Sequence, residues 1–341
     1  MSDRDEGRAA WGSPLTARAS RDGSRVAMAT LGEGLLEVGI APDLDGDHLE
    51  RGFGGDAANV AVMAARMGVR SYLITHVGDD AAGRLLMNFW AGRGVDVSHV
   101  SVDAEAPTGL YINERLVSGA HAFEYYRSGS AASRLAPADL DTDFLGQLDL
   151  LHLTGITLSI SHTSAAAARA AADAARASGA MIAFDVNYRP QLGADTGELL
   201  AFARSADVVL LSHDDAEAMI GTSEARAVLE TLGSGPREVI FTRGDEPVSL
   251  FTAERNYRLR PPAVEVVNAA GAGDALAGTY LASRLSGMAP GAALILAVVA
   301  ASASCGRAGC ARGYPSAEEV EEGARHLTAA LDTAAERSLP G

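Results

Sequence analysis

The chain contains no lysine, and all 28 of its basic residues are arginine. A Walker-type phosphate loop needs a lysine, a protein kinase needs its strand lysine, and Schiff-base chemistry needs a primary amine, so all three are excluded. Cysteine is nearly as scarce. Cys305 and Cys310 stand in an Ala/Gly-rich stretch with no neighbouring pair of histidines, which fits neither a disulfide framework nor a zinc site and points to a reducing cytoplasm. Positive charge is also in deficit: 28 basic against 44 acidic residues leave a formal charge of −16. A sequence-independent grip on nucleic-acid phosphates or on an anionic membrane surface is therefore disfavoured. The longest apolar run, AALILAVVAASASC from Ala292, is too short and too rich in small residues to span a bilayer and reads as a buried helix. Residues 1–25 have no apolar core like that of a signal peptide and read as a disordered extension.

What is present suffices for a large core. With 48% of 341 residues hydrophobic, the chain accommodates one large domain with a smaller appendage. From Arg25 onward, short β-branched runs alternate with longer Ala-rich amphipathic ones, the pattern of βαβ units around a largely parallel sheet. Strands are predicted at VAMATL from 26, SYLITHV from 71, LLHLTG near 151, MIAFDV from 181, DVVLLS from 207 and EVIFT from 238. Helices are predicted over 56–68, 80–93, 163–178, 214–220, 223–232, 273–286, 290–304 and 316–335, with Gly68, Gly94, Gly179 and Gly287 placed to end helices in the left-handed conformation. Two stretches break the alternation. LLEVGIAPDLDG near 35 and GLYINERLVSGAHAFEYYR over 109–127 read as hairpins, the second turning at VSGA. Paired, they would form a small antiparallel sheet over the carboxyl ends of the parallel strands, where ligands bind in open α/β sheets.

The stretch VVNAAGAGDALAGTYLASRLSG over 266–287 carries the chemistry. Gly271, Ala272 and Gly273 precede a helix whose apolar residues recur at three-to-four spacing. Small residues let the backbone approach a ligand, and the first N–H groups of a helix have no internal partners, so this turn suits an anion. Asp274 follows in the first helical turn. It is either the base of a phosphoryl transfer, taking the acceptor hydroxyl's proton while the amides hold the migrating charge, or a helix cap after a glycine turn. GFGGDAANVAVMAARMG over 52–68 is a second glycine turn entering a helix. Its Asn59 offers both a donor and an acceptor, as a pair of sugar hydroxyls requires, with a solvent-facing asparagine as the alternative.

GGDAAN and GAGDALAG, in this order and separation, resemble the paired motifs of the ribokinase-like, PfkB-type carbohydrate kinases, with the resemblance running from about 27 to 330. It implies an α/β fold: a doubly wound, mostly parallel sheet flanked by helices, with a small antiparallel β-lid. The main domain is then expected over 26–34, 53–106 and 129–335, and the lid over 35–52 and 107–128. It also implies that Gly271, Ala272 and Gly273 form the anion hole, that Asp274 is the base, and that Gly55, Asp56 and Asn59 bind the sugar. HAFEYYRSGSAASRL, PTGLYINE, LHLTGITLSI and FDVNYRPQL look like phrases of the 2-keto-3-deoxygluconate kinases within that family. These phosphorylate the terminal hydroxyl of a keto-deoxy sugar acid, giving the 6-phosphate. The planar fork of arginine suits a carboxylate, so Arg127 and Arg189 become the carboxylate candidates, with Tyr111 and Tyr126 as wall and hydroxyl partners.

On the donor side, Arg189 could instead face phosphates, and Asn187 orients them. Thr242, Arg243 and Gly244 belong to the nucleotide loop, and Asp214 and Glu217 offer carboxylates to hydrated Mg²⁺. The resemblance thus implies ATP and Mg²⁺, leaves a monovalent cation open, and implies a homodimer through the lid. Because the transition state is loose, a base of ordinary low pKa is expected to suffice. The family's Asp-Thr ahead of the anion hole is Asn268 and Ala269 here, and Pro247 stands where its nucleotide loop has Gly. A kinase of a neutral sugar or nucleoside, or a binding protein without transfer, therefore remains as an alternative.

Overall fold

In the computed structural model, the structure describes residues 27–40, 49–116, 121–325, 327 and 331–334. The expected N-terminal extension and the VSGA turn lie outside the described residues. The large sheet contains eleven strands. Strands β1 (Ala27–Leu31), β4 (Arg70–Gly78), β9 (Leu150–Thr154), β10 (Met181–Asp185), β11 (Val208–Ser212) and β12 (Glu238–Thr242) run parallel, joined at the edge by the short β5 (Val95–Asp96) and β6 (Val100–Asp103). Beyond β12 the sheet continues antiparallel through β13 (Val248–Thr252), β14 (Asn256–Leu259) and β15 (Asp332–Ala334).

Successive side chains on these strands enter opposite cores, as the strand period demands. Met28, Leu73, Val208 and Leu210 pack on one face with α1 (Asp56–Arg66), α8 (Ala272–Leu285) and α9 (Pro290–Cys305), while Ala29, Ile74, Val209 and Leu211 pack on the other with α4 (His162–Ala177) and α5 (Thr196–Ser205). Helices on both faces of a mainly parallel sheet make the doubly wound architecture that the sequence implies. From β1 the chain builds outward through β4 in one direction and then through β9 and β10 in the other. That reversal opens a crevice at the carboxyl ends of the central strands.

A separate four-stranded sheet lies over this crevice: β3 (Glu50–Gly54), β2 (Leu35–Ile40), β7 (Leu110–Arg115) and β8 (His121–Tyr126). Both outer pairings are antiparallel and the central β2–β7 ladder is parallel. The remaining α-helices among the described residues are α2 (Ala81–Ala91), α3 (Thr142–Leu145), α6 (His213–Ile220), α7 (Ala225–Leu232) and α10 (Ala317–Arg325). The predicted helix over 316–335 is corrected: α10 ends at Arg325 and Asp332–Ala334 joins β14. The open edge of β14 offers backbone partners that outweigh the Ala-rich helical propensity of that stretch. Helix α5 was not predicted, although Asp195 caps it by accepting from the Glu198 N–H at 3.0 Å. Among the described residues, no helix is long and apolar enough to cross a membrane, and the Ala292–Cys305 stretch lies inside the largely buried α9.

Helix α8 is anchored to the sheet by a buried cluster. Glu238, at the start of β12, receives the Arg284 Nη2 donor at 2.6 Å and the Tyr280 hydroxyl at 2.7 Å. Removing the arginine leaves the buried Glu238 carboxylate without its countercharge, so Arg284→Ala is expected to cost about 3–5 kcal/mol of stability, readable as a lowered midpoint in chemical denaturation. At the other end, a Cβ on Gly278 would sit 2.8 Å from Met63 Cβ and Val60 O. The absent side chain lets α8 touch α1, which brings the first turns of the two helices together.

Candidate active site

The crevice encloses a cavity of about 1290 Å³, room for two small molecules. Its floor is the start of α8. Gly271 adopts φ 80° as the residue before the helix, and no side chain caps the turn. Tyr314 donates its hydroxyl to the Gly271 carbonyl at 2.9 Å, and Asn268 Oδ1 accepts from the Ala270 N–H at 2.9 Å. Asn268 thus shapes the turn by a side-chain bond where the family has an acid. A Cβ built on Gly273 meets nothing within 4 Å, so the backbone there faces open cavity. The turn fits phosphate oxygens: an uncapped helix start, left-handed glycine ahead of it and unobstructed approach.

Asp274 lies beside this turn. Asn59, in the first turn of α1, donates its Nδ2 to Asp274 Oδ2 at 2.7 Å and to Cys310 Sγ at 3.2 Å. The close α1–α8 crossing at Gly278 makes the bond possible. Burial and the neighbouring Asp56 carboxylate push Asp274 up to about 7, against the opposing effects of the Asn59 hydrogen bond and Arg189. This lies above the ordinary low value that a loose transition state would allow the base to keep. A base poised near neutrality is free to take a proton from a hydroxyl without being a negligible acceptor.

Asp56 and Asn187 border the same space, with Asn187 Nδ2 donating to Asp56 Oδ2 at 3.3 Å. Asn187 has φ 36°, the one positive φ outside glycine among the described residues. Its loop is held by Asp215, which accepts from the Tyr188 N–H at 2.7 Å and from the Ser212 hydroxyl at 2.6 Å. Strain of this kind persists where surrounding bonds over-determine it. Asp185, unremarked in the sequence, also faces the cavity, and burial together with Asp215, Asp274 and Asp56 holds its carboxyl well above the usual range.

Gly55, Tyr111, Arg127, Arg189, Asp214 and Thr242 also line the cavity, together with Gly271 and Gly273. Tyr126 does not. Residues 121, 123 and 125 of β8 face inward, so strand parity sends Tyr126 to the outer face, 57% exposed, where its hydroxyl reaches Glu124 at 3.3 Å. Tyr125 takes the inner position, with the Arg127 guanidinium 4.0 Å above its ring. Arg243 turns from the cavity to donate to the Ser223 carbonyl. Ala272, Gly244 and Glu217 are not in the wall either, and Gly244 supplies the left-handed turn after β12 at φ 61°. Of the two metal candidates only Asp214 lines the cavity, with His213 Nδ1 3.5 Å from its Oδ1, and no group of three acids, histidines or cysteines is set to hold a metal among the described residues. One carboxylate is compatible with Mg²⁺, which keeps its waters and rests mainly on phosphate oxygens.

Residues 39–317 match the family model described as pfkB family carbohydrate kinase. The chain belongs to that family. This pfkB-family protein is 35% identical over 312 residues to 2-dehydro-3-deoxygluconokinase of Thermoproteus tenax, covering 87% of this chain and 94% of the relative. It is 31% identical to aminoimidazole riboside kinase of Salmonella typhimurium, over 73% of this chain and 78% of the relative. A solved structure of a putative ribokinase II from E. coli, in complex with ATP and Mg²⁺, superposes with a TM-score of 0.80 at 25% identity, covering 88% of this chain and 99% of that one. The pfkB-family protein is a phosphotransferase acting on a sugar hydroxyl.

Proposed function

We propose that the enzyme uses ATP to phosphorylate the terminal hydroxyl of a keto-deoxy sugar acid, 2-keto-3-deoxygluconate (2-dehydro-3-deoxygluconate) in the first place. The observation that carries this reading is a buried arginine, Arg127, in the lid-side wall of a cavity whose floor holds the Asp274 carboxylate. A guanidinium reads a carboxylate in a way that a neutral sugar cannot exploit. The relative from Thermoproteus tenax carries the matching name.

In the reaction, Asp274 takes the acceptor proton as the hydroxyl oxygen bonds to the γ-phosphorus. The bond from that phosphorus to the β-phosphate oxygen breaks, and ADP leaves. The backbone at Gly271 and Gly273 faces the migrating phosphoryl group, while the Ala272 N–H is held by the Ala269 carbonyl at 3.3 Å, and Asn59 keeps Asp274 aimed at the acceptor. Mg²⁺ beside Asp214 would neutralise phosphate charge. Arg189, in the cavity wall, would serve the acceptor carboxylate or the phosphates, and Asn187, in the same wall, would orient the phosphate end. The exposed apolar residues Ile40, Leu49, Leu116 and Tyr126 on the lid strands and their flanks favour a homodimer through the lid, and the free thiols of Cys305 and Cys310 fit a reducing cytoplasm.

An ADP-release assay across sugar acids, neutral sugars and ribosides tests the acceptor. The sugar acid is expected to show the highest kcat/KM, and Arg127→Ala should raise its KM at least tenfold while changing the KM for fructose little. A riboside or neutral sugar preferred over every acid would overturn the assignment and favour the other reading that the relatives raise.

A further inference from the structure

The end of β1 places a second carboxylate in the acceptor wall that the reaction does not use. Glu33 is 1% exposed and lines the cavity. Its Oε1 lies 2.8 Å from Arg127 Nη1, a contact of charges rather than an aligned hydrogen bond, since that Nη1 has no hydrogen-bond partner. Glu33 Oε2 and Arg127 Nε are likewise buried without a partner. Two charged groups thus neutralise each other at the cavity wall while each keeps an unused polar atom, which is costly in a dry site unless something arrives to use it. The backbone that carries Glu33 is closely packed. A Cβ on Gly55 would sit 2.5 Å from the Glu33 carbonyl and 2.6 Å from Gly34 Cα, so the 32–34 backbone is pressed against the entry to α1.

We propose that Glu33 is a specificity-determining residue that couples acceptor binding to protonation: a sugar acid seats its carboxylate on Arg127 only as Glu33 takes up one proton from solvent. This deepens the proposed function and rests on it. With Glu33 ionised, an arriving carboxylate would put two anions on one buried guanidinium, a net negative charge in a poorly solvated place. With Glu33 protonated, Arg127 pairs with the ligand, and the new Glu33 hydroxyl can donate to it. The charged or titratable groups facing Glu33 are Arg127 and Tyr125 from the lid and Asp56 from α1. Burial and Asp56 raise the Glu33 carboxyl to about 7 against the pull of Arg127, so the proton is available near neutral pH. A neutral sugar brings no charge and needs no proton.

Calorimetric titration of the wild-type enzyme with 2-keto-3-deoxygluconate at about pH 7.5, in two buffers of different ionisation enthalpy, reads the proton directly. Uptake approaching one proton is expected for the acid and none for fructose. The Kd for the acid should rise with pH above about 7, approaching tenfold per unit. Glu33→Gln, which keeps the shape of the side chain, should take up no proton, hold a Kd independent of pH between about 6 and 8, and bind the acid more tightly than wild type at the upper end. Acid binding without proton uptake in the wild type, or an unchanged pH dependence in Glu33→Gln, overturns the coupling and leaves the acceptor assignment standing. Failure to bind the acid at any pH while fructose binds overturns both.

Discussion

Asp274→Asn is expected to lower kcat by about 10²–10⁴-fold, the usual cost of losing a positioned base, in a protein that is more stable than wild type at pH 8. The two effects share a cause. Burial and Asp56 raise the Asp274 carboxyl from an ordinary 3.8 to about 7. The folded state therefore prefers the protonated form. Its contribution to stability is fully present below about 4, and is lost as pH rises through about 7. The amide cannot ionise, so the variant escapes that loss while still receiving the Asn59 amide on its oxygen. Steady-state turnover and thermal melts at pH 5 and pH 8 test both halves. Near-wild-type turnover would remove Asp274 as the base, and an unchanged or lower Tm at pH 8 would remove the electrostatic account of it.

Substitution at the anion turn should separate architecture from chemistry. In Gly271→Ala the new Cβ would lie 2.2 Å from Cys310 Sγ and 2.8 Å from the Tyr314 hydroxyl, at φ 80°. The left-handed conformation costs roughly 1–2 kcal/mol on its own, and the clash displaces the turn. Both Tm and kcat should fall, the latter by about 10²–10³-fold as the amides lose their aim. Gly273→Ala meets no neighbouring atom, so its Tm should match wild type. Its methyl group instead enters the space for the migrating phosphoryl group, and a misplacement on the order of 1 Å is worth about 10²-fold in rate. Parallel melts and ADP-release rates on the two variants distinguish these cases. Full activity in Gly273→Ala would mean that phosphate does not pass over this turn.

The anion turn was legible from the residues alone because it is contiguous. Gly271 to Asp274 announce an anion turn and a carboxylate because the four residues are adjacent and open a periodic helix. The bond from Asn59 to Asp274 joins residues 215 apart, and it depends on a helix crossing permitted by Gly278, which no local pattern encodes. Choosing between Tyr125 and Tyr126 needed the parity of β8. That strand is exposed along its last four residues, so hydrophobic alternation carried no signal and the wrong tyrosine was assigned. Glu33 is a single acid after a strand, unmarked until Arg127 arrives from the lid. The same reason explains Asp274's pKa, which is raised by burial and then by Asp56 rather than by anything adjacent in the chain.

The mainly parallel sheet was readable because its strands are buried on both faces and appear as apolar runs. Its antiparallel edge was less so. Strand β13 is fully buried only at alternate residues and β14 only at its last, so neither reads as an apolar run, and β15 lies in an Ala-rich tail whose helical propensity pointed elsewhere; only the unpaired edge of β14 decides its state.

The dependence of kcat on pH, at saturating Mg-ATP and acceptor, tests the role of Asp274 most directly, because saturation removes the contribution of Glu33 to binding. The wild-type enzyme should lose activity below about pH 7, approaching tenfold per unit as Asp274 takes a proton, and the residual activity of Asp274→Asn should lack that limb. A wild-type kcat that stays level from about pH 5.5 to 8, or an acid limb retained in Asp274→Asn, would contradict the account.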